Sequence, residues 1–151
     1  MNALAIRHIL VPVDFSAGSR RAVEFAGLLG EKFGAGLTLL HVAEPLRIEA
    51  RGWSFDYAGT KTHDSEKSEA MLRELAALIP GDESADIQLK HGTPWEAIVA
   101  WADAHRVDLI VMPTHGRSGI KHLLLGSVAE RVVQHAHCPV LVIRNGKALP
   151  S

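Results

Sequence analysis

The sequence predicts an α/β fold: a doubly wound, five-stranded parallel sheet with helices on both faces. Three observations predict it. Short, unbroken runs of branched apolar residues recur along the chain, segments of helical spacing fall between them, and a glycine, a proline or a capping residue marks most junctions. Strands covered on both faces read as continuous apolar runs, and regular strand–helix alternation implies parallel neighbours joined by right-handed crossovers. The 151 residues suit one domain, residues 1–151, which can bury roughly 70% of its unfolded surface around a single core.

The first strand is the run from His8 to Asp14. Ser16 can cap the helix after it, where Ala22, Phe25, Ala26, Leu29 and Phe33 share one face before Gly34 and Gly36 stop it. Leu37 to Val42 is the second strand. Residues 44 to 62 hold Pro45, Gly52, Gly59 and three scattered aromatics without a sustained period, which predicts a long loop, either a lid or contact surface or a segment packing its own underside. From Asp64 to Ile79 the apolar residues Met71, Leu72, Leu75, Leu78 and Ile79 recur at helical spacing, and Pro80-Gly81 ends that helix. Ala85 to His91 alternates apolar and polar residues, as a strand at the sheet margin does. Thr93-Pro94-Trp95-Glu96 reads as a capping box with proline in the first turn, opening a helix to about His105. Asp108 to Met112 is the fourth strand, Ser127 to Glu130 repeats the capping-box pattern, and Pro139 to Arg144 is the fifth strand.

Composition narrows the function. Apolar residues make up 47% and charged residues 22%, and 16 Lys+Arg stand against 17 Asp+Glu. That balance favours neither disorder nor a polyanion-binding surface, so nucleic acid is not an expected partner. The first residues lack the apolar run of a secretory or membrane segment, and the lone Cys138 has no internal disulfide partner, which together suggest a cytoplasmic protein with no membrane attachment. Cys138 precedes Pro139 and reads as a small residue at a strand entrance rather than a reactive thiol.

In an open parallel sheet, ligands lie beyond the carboxyl ends of the strands where the strand order reverses. Three such ends carry polar or glycine-rich residues here: Val13-Asp14, the region of Val42, and the loop Pro113-Thr-His-Gly-Arg-Ser-Gly119. Gly116 and Gly119 let backbone approach an anion, Arg117 adds charge, and Gly126-Ser127 opens a helix whose unpaired N–H groups and dipole favour phosphate. The same glycines also suit a tight loop, and Ser127 also suits a simple cap. No Gly-Lys-Ser/Thr follows a four-residue spacer and no Gly-x-Gly-x-x-Gly follows the first strand, so neither the P-loop nor the dinucleotide fingerprint is present.

The loop resembles that of the universal stress proteins, whose nucleotide-binding branch carries Gly-x2-Gly-x9-Gly-Ser/Thr after the fourth strand. Gly116, nine intervening residues and then Gly126-Ser127 fit the second half of the pattern, and Pro12-Val-Asp-Phe-Ser16, His41-Val42, Gly92-Thr-Pro94 and Pro139-Val-Leu-Val-Ile143 fit other family landmarks. The resemblance covers nearly the whole chain. It departs at Pro113, which occupies the place of the first glycine and offers no backbone N–H. The resemblance implies a fold of the adenine nucleotide α-hydrolase type and an ATP site, with Mg2+ held mainly by the phosphates. Asp14 and Val42 would line the adenosine end, and Gly116, Arg117, Gly126, Ser127 and Val128 would lie near the phosphates. The site would also take in Pro12, Val13, Met112, Pro113 and His115.

The expected function is therefore an ATP-binding stress or signalling module. Two alternatives stand beside it: a slow ATP hydrolase, for which Asp14 and His115 are the local candidates for a base but lack an evident positioning partner, and a dimeric interaction protein that has lost its ligand, which Pro113 favours. No residue is assigned as catalytic. The nine histidines include His135 and His137, whose spacing is poor for one helical face, and no cluster completes a metal site. The apolar run Val140 to Ile143 would leave a sheet edge prone to pairing, which predicts a homodimer through residues 139–144, as the resemblance also implies.

Overall fold

The computed structural model describes residues 4–50, 53–57, 61–81, 85–115 and 125–144. Its elements in chain order are β1 (His8–Pro12), α1 (Ala17–Phe33), β2 (Gly36–Ala43), β3 (Leu46–Ala50), β4 (Trp53–Tyr57), α2 (Lys61–Ala76), β5 (Asp86–His91), α3 (Pro94–Ala104), β6 (Leu109–Pro113), α4 (Ser127–His135) and β7 (Val140–Ile143). Five strands form one parallel sheet in the order β5-β2-β1-β6-β7. The order runs outward one way from β1 to β5 and the other way from β1 to β7, so it reverses between β1 and β6. That is where an open α/β sheet splays to admit a ligand.

The apolar runs are unbroken because both faces of the sheet are covered. Ile9, Val11 and Val13 of the β1 segment join Leu39, Leu109 and Val111 in one core with Ala22, Val23 and Ala26 of α1 and Leu72 of α2. Leu10 joins Leu40, Val42, Ile110 and Met112 in a second core with Ile98, Trp101 and Ala102 of α3 and Ala129 and Val132 of α4. Successive residues of each central strand thus feed opposite layers, and at about 25 cal/mol per Å2 of apolar area this burial is the main stabilising term. β5 is an edge strand with Asp86, Lys90 and His91 exposed, as its alternating sequence predicts.

Ser16 caps α1, its side chain accepting from Ser19 N, and Gly34 closes the helix with φ 63°. The burial differs from the apolar spacing in one respect. Phe33 lies in the last turn and is 42% exposed, while Gly27 and Gly30 are buried. A Cβ at Gly30 would meet Leu37 and the carbonyl of Ala35, so this glycine permits α1 to lie close against the start of β2. α2 sits about one turn earlier than its apolar spacing suggests. Its end tightens through bonds from Leu78 N to Leu75 O and from Ile79 N to Ala76 O, which leave the α-helical ladder before Pro80.

Three expectations need correction. The segment 44–62 is not a plain loop but contains an antiparallel ribbon, β3 against β4, separate from the main sheet. Thr93 takes the N-cap position of α3, but its side chain makes no cap hydrogen bond, so the expected reciprocal box is not formed; Pro94 alone pre-sets the first turn. In α4 the cap is Gly126, whose carbonyl accepts from Glu130 N, and Ser127 is already the first helical residue. A Ser127–Glu130 box is therefore displaced by one residue, and the helix opens without a side-chain cap.

Candidate functional site

Three chain segments converge at the carboxyl edge of the sheet beside the β1–β6 reversal. The first is the turn after β1. Asp14 Oδ1 accepts from the hydroxyl of Ser19 at 2.6 Å and from Ser16 N at 3.0 Å, and Asp14 N donates back to Ser19 Oγ at 3.0 Å. Ser19 itself is fully buried. This bracket holds Phe15 at φ 63°, a left-handed conformation that a bulky residue adopts only when its surroundings impose it. The Phe15 ring lies 4.4 Å from that of His41. His41 in turn donates through Nδ1 to the carbonyl of Val13 at 2.7 Å, tying β2 to the same turn.

The second segment is the end of β6. Met112 is 4% exposed and Pro113 is buried. Pro113 has no N–H to give, and the next residue secures the strand end through Thr114 N to Ile143 O at 3.1 Å. His115 Nδ1 lies 3.1 Å from Thr114 Oγ1, while its Nε2 is buried without a hydrogen-bond partner. Among the described residues one other buried side-chain nitrogen, Arg21 Nε, shares that state.

The third segment is the start of α4. Gly126 N donates to Thr114 O at 2.6 Å, so the helix N-terminus is tied directly to the exit of β6. An α-helix leaves the N–H groups of its first turn without intrahelical acceptors, and Gly126 brings no side chain to cover them. Ser127 is exposed and Val128 is half-buried against the α3–α4 core. The N-terminus of α4, the positive end of its helix dipole, thus lies at the topological switch point.

This combination of strand order, capped aspartate turn and uncapped helix accords with the family pattern in the sequence, and the comparison with known proteins decides it. The model of the universal stress protein family matches residues 5–144. The chain belongs to the universal stress protein family. A universal stress protein of Methanocaldococcus jannaschii is 33% identical over 148 residues, covering 93% of this chain and 84% of that one. The solved universal stress protein UspA of Lactobacillus plantarum superposes with a TM-score of 0.80 at 28% identity, covering 95% of this chain and all of that one. A universal stress protein solved in complex with cAMP superposes at 0.70, with 27% identity over 94% of this chain and 99% of that one.

Within this universal stress protein, Asp14, Met112, Pro113, His115, Gly126, Ser127 and Val128 gather around the switch point. Pro12, Val13 and Val42 stand beside them as buried strand-end residues. Gly116, Arg117 and Gly119 lie outside the described residues. The sequence reading missed Ser19, Phe15 and His41. Ser19 had a local signal, since Asp14, Ser16 and Ser19 fall at the spacing of an aspartate turn followed by a serine cap. The Phe15–His41 contact joins residues 26 apart on different elements and leaves no local trace.

Two further histidines, His135 and His137, are committed elsewhere. His135 Nδ1 donates to Arg131 O at 2.9 Å and its ring lies 4.7 Å from Trp95, while His137 pairs with Asp103 at 3.0 Å. Among the described residues no group of three or more His, Cys, Asp or Glu is placed to hold a metal ion. Burial raises the Cys138 thiol pKa above its ordinary value, with Asp103 and Asp108 adding to the effect, so the neutral, unreactive thiol is favoured. No described helix is long and apolar enough to cross a membrane.

Proposed function

We propose that this universal stress protein is an ATP-binding signalling module of the stress response that acts as a homodimer in the cytoplasm. The observation that carries the proposal is the pairing, at the switch point, of an uncapped helix N-terminus at Gly126 with the unpartnered nitrogen of His115. His115 Nε2 has no hydrogen-bond partner, the first-turn N–H groups of α4 have no intrahelical acceptor, and a phosphate tail supplies acceptors in number. In this reading the N–H groups from Ser127 onward and the Ser127 hydroxyl bind phosphate oxygens, aided by His115, Gly116 and Arg117. Pro12, Val13 and Val42 flank the base, and the Asp14 carboxylate accepts from ribose hydroxyls. Mg2+ is held mainly by phosphate oxygens and water, which is the usual habit of that ion. A family relative solved with cAMP supports an adenine nucleotide as the ligand class.

The assignment stops short of dedicated catalysis. Asp14 Oδ1 is bound to the turn by Ser16 and Ser19 rather than directed at an attacking water. β7 is a sheet edge of half-buried Val140, Leu141, Val142 and Ile143, and pairing with its copy in a second chain would cover that edge.

Gly126→Val tests the site. Gly126 has φ −61° and ψ 159°, an extended conformation open to any residue, so the substitution carries no backbone strain. The expected result is at least about a tenfold loss of Mg·ATP affinity, the cost of losing one or two charge-assisted hydrogen bonds, with the thermal midpoint little changed. Unchanged affinity would show that phosphate does not approach α4. One observation favours the ligand-free dimer: Pro113 removes an N–H from the loop. Pro113→Gly separates the two readings, because only a protein with a weakened site gains nucleotide affinity from it.

A further inference from the structure

β1 and β2 part at the carboxyl end of the sheet. Their register ends with Pro12 beside Leu40, and Val13 N still donates to Leu40 O at 2.8 Å. β2 runs on against β5 as far as Ala43 beside His91, while the chain after Val13 turns toward α1. His41 is the β2 residue at this fork. Faces alternate along a strand, so its side chain shares the α1–α2 side with Leu39, whereas Leu40 and Val42 feed the opposite core.

From that position one imidazole holds the residues on both sides of Asp14. Its Nδ1 donates to Val13 O at 2.7 Å, and its ring lies 4.4 Å from the Phe15 ring, tilted by 41°. A carbonyl oxygen only accepts, so the proton of this bond sits on Nδ1. Val13 is 4% exposed, and a carbonyl left without a partner there would be costly. His41 thus supplies from its side chain a donor to β1 at the place where β1 leaves the sheet. Ser19 secures Asp14 itself, through its hydroxyl to Oδ1 and from Asp14 N. Residues 13, 14 and 15 are therefore each met by a side chain from outside the turn, and the two that flank Asp14 are met from β2.

Resting on the nucleotide reading above, we propose that His41 is a positioning residue of the nucleotide site, which fixes Asp14, and with it the ribose, relative to Val42 on the strand that flanks the base. It acts through Val13 and Phe15 rather than on the ligand. Asp14 and Val42 belong to neighbouring strand ends joined along the chain by the whole of α1, so contacts between those ends set their separation. The Nδ1 bond is such a contact, made from the residue next to Val42 to the residue next to Asp14. Its influence therefore falls on the ribose end of the ligand and not on the phosphates, which the nucleotide reading assigns to α4.

The test is calorimetric titration of the full-length parent, His41→Leu and His41→Asn, each with Mg·ATP and with Mg·dideoxy-ATP, in which both ribose hydroxyls are replaced by hydrogen. Leucine and asparagine share one branched shape, but only the asparagine amide can donate near the place of Nδ1. The parent is expected to bind ATP about tenfold or more tightly than the dideoxy analogue, the worth of a hydrogen bond to a carboxylate. His41→Leu is expected to lose that preference to within about twofold, through weaker ATP binding alone, and His41→Asn to recover it, the pattern of two coupled sites. His41→Phe, which keeps a ring beside Phe15 without the donor, should match His41→Leu and replaces it if the leucine variant does not fold. A donorless variant that keeps the preference, or one that weakens both ligands alike, would overturn the positioning role in favour of a purely structural one. Loss of the preference in His41→Asn as well would overturn the assignment to the Nδ1 bond. A parent that binds both ligands equally would remove Asp14 from the ribose and overturn the proposal, and a parent that binds neither would overturn the nucleotide reading itself.

Discussion

Replacing Ser19 by alanine probes the turn that holds Asp14. The hydroxyl is fully buried, donates to Asp14 Oδ1 at 2.6 Å and accepts from Asp14 N at 3.0 Å. Its removal deletes a charge-assisted bond, worth about 1.5–3 kcal/mol, and leaves a backbone N–H without its acceptor, at a cost of about 1–3 kcal/mol. These terms overlap, so the expected loss is about 2–4 kcal/mol. With a urea dependence of about 2 kcal/mol per molar, the unfolding midpoint should fall by about 1–2 M. The left-handed Phe15 raises the stakes, since its conformation is imposed by this bracket. Mg·ATP affinity should fall in parallel, because Asp14 loses the contact that orients it. A loss under about 0.5 kcal/mol at equilibrium would refute the account of the turn.

Other consequences follow from single features. Gly34→Ala should cost about 1 kcal/mol in urea unfolding, because the residue closes α1 at φ 63°. Gly30→Ala should also destabilise despite its better helix propensity, since the new methyl meets Leu37 and the Ala35 carbonyl; a gain in stability would show that Leu37 repacks freely. Cys138 should alkylate far more slowly in the folded protein than in urea at pH 8. Its raised pKa means that the folded state retains the thiol proton longer than the unfolded chain does. Stability from this group is therefore present below the ordinary thiol range and declines as pH rises through it, which a pH series of unfolding midpoints reads. Val142→Arg, at a β7 position in neither core cluster, should convert a dimer to a monomer in sedimentation without lowering the melting midpoint by more than a few degrees.

Much of the fold is written locally. β1, β2 and β6 show as apolar runs because alternate residues feed two separate cores, and β5 betrays its edge position through Asp86, Lys90 and His91. The start of α4 is harder, because Gly126 and Ser127 are both competent caps and only the bond from Glu130 N to Gly126 O decides between them. The ribbon had a signal that is easily passed over. Leu46 to Ala50 and Trp53 to Tyr57 each alternate, with two residues, Arg51-Gly52, between them, but five residues make a weak period until the two runs are paired. At the site, the glycine spacing and Asp14 could be read in advance. Ser19 left a faint local signal in its spacing from Asp14 and Ser16, whereas Phe15 and His41 could not be joined from spacing, since their contact exists only once β1 and β2 are assembled.

The most direct test of the nucleotide assignment is titration of nucleotide-stripped protein with Mg·ATP, ADP, AMP and GTP, after mass spectrometry of whatever co-purifies. Saturable binding of adenine nucleotides that strengthens from AMP to ADP to ATP is expected, because each added phosphate would meet further donors at the N-terminus of α4. No heat with any nucleotide, together with no co-purified ligand, would contradict it and favour the alternative of a dimeric interaction protein that has lost its ligand, with Pro113 the first residue to revert to glycine.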